Sequence, residues 1–311
     1  MASSGAVPSI DATLGATFIG VVVAAVLYGV TCLQTWHYYH TYGSDTWRLK
    51  GLVLSVWICD TVHQVLISHT VYTYLVTHYA DPQYLSMLVW SLLVEVLFNG
   101  FTAFVVQCFF TIRIYNLSHK NIMLTGLVAA LVLAQFCVTL VYVGKSLPMK
   151  TYEQLDTLKG LSMAVNATTA ASDVVIAMSL VSMLHLSRTG FKRSDSVINK
   201  LILYTVNTGL LTSIDAICSL ASIAALPNTF IYICFFFALG RLYANSLLAT
   251  LNARKSIRQK VSPDDMSLSG LQSIPRTVDV PGLKKVCLNI FLVIARPNLY
   301  DSADKQYRHP N

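Results

Sequence analysis

The chain has 311 residues, of which 54% are hydrophobic and only 12% charged, and its mean hydropathy is +0.57. Soluble domains carry about 25% charged residues, so an ordinary soluble fold is excluded. The formal charge of +7 is concentrated, with half of the Lys and Arg in the C-terminal quarter; that suits an anionic membrane surface, and no basic face is left for a nucleic acid.

A helix rises about 1.5 Å per residue, so a hydrocarbon core of about 30 Å asks for about 20 apolar residues. Seven runs meet that length, at 13–36, 52–76, 85–114, 122–143, 161–186, 201–225 and 229–251. The pattern predicts an all-α fold, a seven-helix transmembrane bundle. It divides into an N-terminal segment (1–12), the bundle (13–253) and a tail (254–311) expected to be largely disordered.

The first run follows a stretch, Met1 to Leu14, without Lys or Arg, so it reads as a span and not as a cleaved leader. Turn chemistry separates the runs: Tyr42-Gly43-Ser44-Asp45, Ala80-Asp81-Pro82, Asn116-Leu117-Ser118, Arg188-Thr189-Gly190 and Pro227-Asn228-Thr229. Orientation follows from basic residues. One side holds eighteen Lys and Arg, ten of them from Arg254 onward, and the other only Lys145, Lys150 and Lys159. The positive-inside bias therefore puts the N-terminus outside and the C-terminus in the cytosol, and an odd number of spans agrees with it. The plasma membrane is the expected location.

Ionisable groups at the bilayer centre cost about 2.5–3.5 kcal/mol each on insertion scales, so each needs a reason. Span two carries Asp60 and His63, span three Glu95, span five Asp173, span six Asp215 and span seven Arg241. Counted from the helix ends, all lie near one depth. They sit on polar stripes at helical period: Asp60, Gln64 and Ser68; Glu95, Asn99 and Thr102; Ser162, Asn166, Thr169 and Asp173; and Tyr204, Thr208, Thr212, Asp215, Ser219 and Ser222. Hydroxyl stripes also serve as plain packing surfaces. One arginine cannot neutralise four acids, however. Either some acids hold protons, or the centre is wet, or a cation sits there.

Asp60, His63, Glu95, Asn99 and Asp173 are thus the candidate ligand or proton site. Asp60 and His63, one turn apart, can equally be an internal pair. Asp215 and Arg241, at matching depths on consecutive antiparallel spans, are expected to form a structural ion pair; the competing reading has Arg241 reaching toward the cytosol. Arg254, Lys255, Arg258 and Lys260 are expected against the inner leaflet. The tail run 286–295 is too short to span, and reads as an interfacial element or one that binds a cytosolic partner.

Of seven cysteines, six lie in apolar runs and none is paired at metal-ligand spacing, so neither a disulfide framework nor a metal site is expected, and no cofactor. Span seven has no lysine to form a retinal Schiff base, and His63 is the one deep histidine, too few for an intramembrane zinc enzyme. No catalytic residue stands out.

Pro8-Ser9-Ile10-Asp11-Ala12-Thr13-Leu14-Gly15-Ala16, Arg188-Thr189-Gly190-Phe191, Asn207-Thr208-Gly209-Leu210-Leu211-Thr212-Ser213 and the run from Tyr243 to Arg254 occur in this order. Together they resemble a large mushroom-type fungal family of seven-span membrane proteins, catalogued as a domain of unknown function. The resemblance implies fungal origin and a membrane location, and brings no activity or ligand.

The expected function is that of a receptor-like or sensor protein with a polar intramembrane pocket for a small molecule of unknown identity. The alternatives are a secondary or proton-coupled carrier and a non-catalytic scaffold. Against a carrier, no span contains a proline and the first and second three spans show no repeat.

Overall fold

A computed structural model describes residues 14–79, 81, 83–186, 209, 211–225, 229 and 231–259, with the backbone alone for 255–259. The N-terminal segment, the 188–200 loop, the first residues of the sixth run and the tail from Lys260 onward lie outside these residues.

The described residues form helices and no strand. Helix α1 spans Ala16–Thr41 and α2 Trp47–Tyr72, the latter running on through a π turn at Thr73–Thr77. Then come α3 (Trp90–Leu117), α4 (Ile122–Ser146), the short α5 (Tyr152–Asp156) and α6 (Lys159–Leu186). A shorter apolar helix, α7, covers Leu211–Ala225, and α8 covers Ile231–Gln259. Among the described residues six helices, α1, α2 with its π turn, α3, α4, α6 and α8, are long and apolar enough to cross a membrane. Helices are what such runs must form, because hydrocarbon offers no partner for an unpaired backbone N–H or C=O.

Local signals end the helices where the turn residues stand. Asn121 caps α4, its side chain accepting hydrogen bonds from the N–H groups of Met123 (3.1 Å) and Leu124 (3.2 Å). The chain reverses just before it through His119 and Lys120, both in the left-handed region at φ 52° and 65°. At the opposite end of the bundle Leu88 N–H donates to Lys150 C=O (2.8 Å), joining the segment before α3 to the one before α5. Tyr74 reinforces that junction, since its hydroxyl donates to Met87 C=O (2.7 Å) and accepts from Val89 N–H (3.2 Å).

Helix α8 is the central one. In its apolar stretch 78% of the residues are buried, against 22% in α4 and 44% in α3. It packs most extensively on α1 and also touches α2 and α3, while α3 meets α2, α4, α6 and α8. Gly20 allows the close approach of α1 to α8: a Cβ there would stand 2.9 Å from Cys234 Cα. One apolar cluster joins Val53, Val106, Ile114, Leu180 and Leu247; a smaller one joins Ala24, Ile67, Leu92 and Phe237. The outward face of α1 exposes Phe18, Val22, Val26, Leu33 and Trp36, as a lipid-facing surface would.

Candidate functional site

The centre of the network is Arg241 on α8, with none of its surface exposed. Its Nη1 donates to the carboxylate Oδ1 of Asp60 and to the Asp60 backbone carbonyl (2.6 Å). Its Nη2 donates to Gln64 Oε1 (3.0 Å) and stands 2.9 Å from His63 Nδ1. Asp60, His63 and Gln64 lie within four residues on α2, so one helical turn meets one planar guanidinium fork. The Tyr28 ring of α1 faces the guanidinium carbon, 5.6 Å from its centroid.

Arginine has only donors to offer, so His63 Nδ1 must accept and the ring proton must sit on Nε2. That Nε2 lies 2.7 Å from Glu95 Oε2 on α3. The contact brings the two groups together without a hydrogen bond between them. The buried ring of Phe237 stands edge-on to the imidazole, with centroids 6.5 Å apart. Asn99, one turn past Glu95, donates Nδ2 to the Phe236 carbonyl of α8 (3.1 Å) and so holds α3 to α8. Four of the five candidate residues therefore meet around one segment of α8.

The fifth, Asp173 on α6, belongs to a second cluster. Its Oδ1 accepts from Gln107 Nε2 (3.0 Å) and its Oδ2 from the Tyr243 hydroxyl (2.6 Å). Beside it is a cavity of about 30 Å³, lined in part by Gln107, Asp173, Thr212, Tyr243 and Ser246. That volume suits one or two waters and is far below the ≈ 300 Å³ at which small-molecule pockets begin.

One expectation needs correcting. The acid that meets Arg241 is Asp60 and not Asp215, whose Oδ2 is buried on α7 without a hydrogen-bond partner. Asp60, Asp215 and Arg241 share a depth, and depth alone does not say which way a side chain points around its helix. Arg254 also meets protein: its Nη2 lies 2.6 Å from Asp45 Oδ2, and its guanidinium stacks over Tyr42 at 4.7 Å. Lys255 and Arg258 lie on α8, and their side chains, like Lys260, fall outside the described residues.

Asp45, in the turn before α2, also accepts from the Tyr38 hydroxyl (2.9 Å). Partial burial pushes the Asp45 carboxyl up, but hydrogen bonds from Arg254 and Tyr38 outweigh that and hold it below the ordinary carboxylate value. The polar stripes of the sequence include neither Gln107 nor Tyr243. The signal for Gln107 was available, a neutral amide within an apolar run.

A domain of unknown function is found in the chain: residues 169–256 match the Family of unknown function (DUF6534). The match takes in Asp173, Asp215, Arg241 and Tyr243, and three of the four family-like segments. Residues 8–16, and the α2 and α3 sides of the Arg241 network, lie outside it. No curated protein and no solved structure matches the chain.

Proposed function

We propose that this multi-pass membrane protein is a receptor-like sensor whose responsive element is the buried network around Arg241. The reading takes the sixth run as a full span that includes α7, making seven spans with the N-terminus outside and a cytosolic tail. The observation that carries it is the position of His63, held between the guanidinium of Arg241 and the carboxyl of Glu95.

Asp60 balances the charge of Arg241, which leaves Glu95 as a second buried carboxyl with an imidazole as its neighbour. A proton added to Nδ1 would point one N–H at another, so His63 cannot gain a charge and keep its contact with Arg241. Protonation therefore pries α2 from α8, while the new imidazolium is drawn to Glu95 on α3. The groups facing this event are Asp60 from α2, Glu95 from α3, Arg241 from α8 and the Tyr28 ring from α1. A switch of this kind needs a discrete two-state element, and the α2–α8 contact supplies it.

The test is a distance measurement between spin labels on α2 and α8 in nanodiscs, taken from neutral pH to well below the ordinary imidazole value of about 6.5. The distance should change with pH in the parent protein and stay constant in His63→Gln. A pH-independent distance in both would overturn the reading. The carrier reading draws on the same chain of groups and predicts something more, proton uptake into proteoliposomes that is lost with Glu95→Gln.

A further inference from the structure

Two asparagines set the register of α1 on α8. Asn245 donates Nδ2 to the Leu27 carbonyl (3.1 Å), and its Oδ1 accepts from the Thr31 hydroxyl (3.3 Å). About two turns further along α8, Asn252 repeats the first contact by donating Nδ2 to the Gln34 carbonyl (2.9 Å). It does not repeat the second. Among the described residues the buried oxygens Asn252 Oδ1, Gln34 Oε1 and Thr35 Oγ1 have no hydrogen-bond partner, and Thr35 as a whole is 7% exposed. A polar atom cut off from water without a partner forfeits its hydration, so three on one stretch of one seam are costly. Water is the partner whose chemistry fits, since it donates to amide oxygens and accepts from a hydroxyl.

A second observation concerns what covers this stretch. Just beyond it α1 gives way to the exposed turn Gly43-Ser44, and four side chains close the seam. The Tyr42 hydroxyl donates to the Asn252 carbonyl (2.8 Å), and the buried Tyr38 ring stacks on Tyr42 with centroids 5.5 Å apart. One oxygen, Asp45 Oδ2, accepts from both the Tyr38 hydroxyl and Arg254 Nη2. Arg254 Nε is engaged by the Leu251 carbonyl of its own helix (2.9 Å), which aims the rest of the guanidinium across the seam. Asp45 and Arg254 are both partly exposed, and an ion pair in contact with water is weak and parts easily.

We propose that Tyr38, Tyr42, Asp45 and Arg254 form a gate over a crevice between α1 and α8 that takes up water when the gate opens. Loss of the Asp45–Arg254 contact frees the last turns of α8 from the turn before α2. Water then reaches Gln34, Thr35 and Asn252, whose oxygens it satisfies. The crevice stops at Asn245 and Thr31, because those groups are already bonded and keep the two helices together deeper in the bundle. The closed seam and the open one thus differ in which polar groups are satisfied, which makes two discrete states. The gate does not draw on the contacts of Arg241 and stands whether or not that network senses protons.

Thiol reactivity tests it in the full-length protein, in nanodiscs, with the native cysteines replaced by serine or alanine. Thr35→Cys and, separately, Gln34→Cys are treated with a charged, water-soluble methanethiosulfonate, and modification is followed by mass spectrometry. Both should react slowly, and adding Asp45→Asn or Arg254→Gln should speed both at least several-fold. The two added changes alter the local charge in opposite senses, so acceleration by both reports opening and not attraction of the reagent. Ala24→Cys, fully buried on the same seam but farther from this end, should stay unmodified throughout. Unchanged rates at positions 34 and 35, or acceleration by only one of the two changes, would overturn the proposal. So would an equal acceleration at Ala24→Cys, the result expected if the Asp45–Arg254 contact merely holds the whole fold together. Gln34→Cys carries the readout alone if Thr35→Cys does not fold.

Discussion

Asn99 occupies the space that a side chain at position 240 would need. A Cβ on Gly240 would stand 2.6 Å from Asn99 Oδ1, while the same amide donates Nδ2 to the Phe236 carbonyl at 3.1 Å. The glycine thus lets α3 reach the backbone of α8 one residue before Arg241.

Gly240→Ala should therefore destabilise the protein even though alanine is the better helix former by about 1 kcal/mol. Asn99 must swing away and give up its bond, and overpacking costs about 1–3 kcal/mol. Gly20→Ala should be worse, because there the obstacle is the Cys234 backbone at 2.9 Å and not the end of a side chain. Unfolding midpoints in detergent, compared with Gly29→Ala, where a Cβ meets nothing within 4 Å, check the order.

Asp60→Ala should be among the most damaging substitutions in the chain. It strands a fully buried guanidinium, and breaking a buried pair typically costs about 3–5 kcal/mol. A double-mutant cycle of Asp60→Ala with Arg241→Ala should show coupling of about 1 kcal/mol or more, since the second change removes the stranded charge. The cycle of Asp215→Ala with Arg241→Ala should be additive within about 0.5 kcal/mol.

The Asp45–Arg254 contact predicts a weak acid sensitivity at the end of the bundle. The Asp45 carboxyl sits below its ordinary value of 3.8, so its contribution is fully present above that pH and is lost as the pH falls through the lower folded value. The Arg254 side chain is 37% exposed, so the contribution is below about 1 kcal/mol. Between neutral pH and about pH 3, Asp45→Asn should lose less stability than the parent, and the difference between the two melting curves isolates this carboxyl.

The seven-span reading predicts opposite fates for two glycosylation acceptors. An Asn-x-Thr triplet placed in residues 1–12 should be modified during membrane insertion, and one placed in the tail beyond 260 should not. Equal treatment of both would mean an even number of spans.

Much of the architecture is legible in composition, because apolar length alone dictates helices and the turn residues mark where they stop. The polar layer was legible too: Asp60, Glu95, Asn99 and Asp173 stand on period-3.6 stripes and are all buried. Pairing was not. The nearest antiparallel neighbour suggested Asp215 for Arg241, whereas the fold brings α2 against α8, a contact between elements about 180 residues apart. Gln107 lies roughly 120° around α3 from Glu95 at 100° per residue, off the stripe of Glu95, Asn99 and Thr102. It faces Asp173 and so reveals that α3 has a second polar side.

Arg241 and Tyr243 are two residues apart on one helix, roughly 200° around its axis. One is bound to α2 and the other to α6. A small roll of α8 cannot tighten both: turning that seats the guanidinium more deeply draws the phenol from Asp173, and the reverse holds too. Helix α8 is thus a balance beam. The Asp60 and Asp173 contacts are the weights on its two arms, so substituting either acid should be felt at the other.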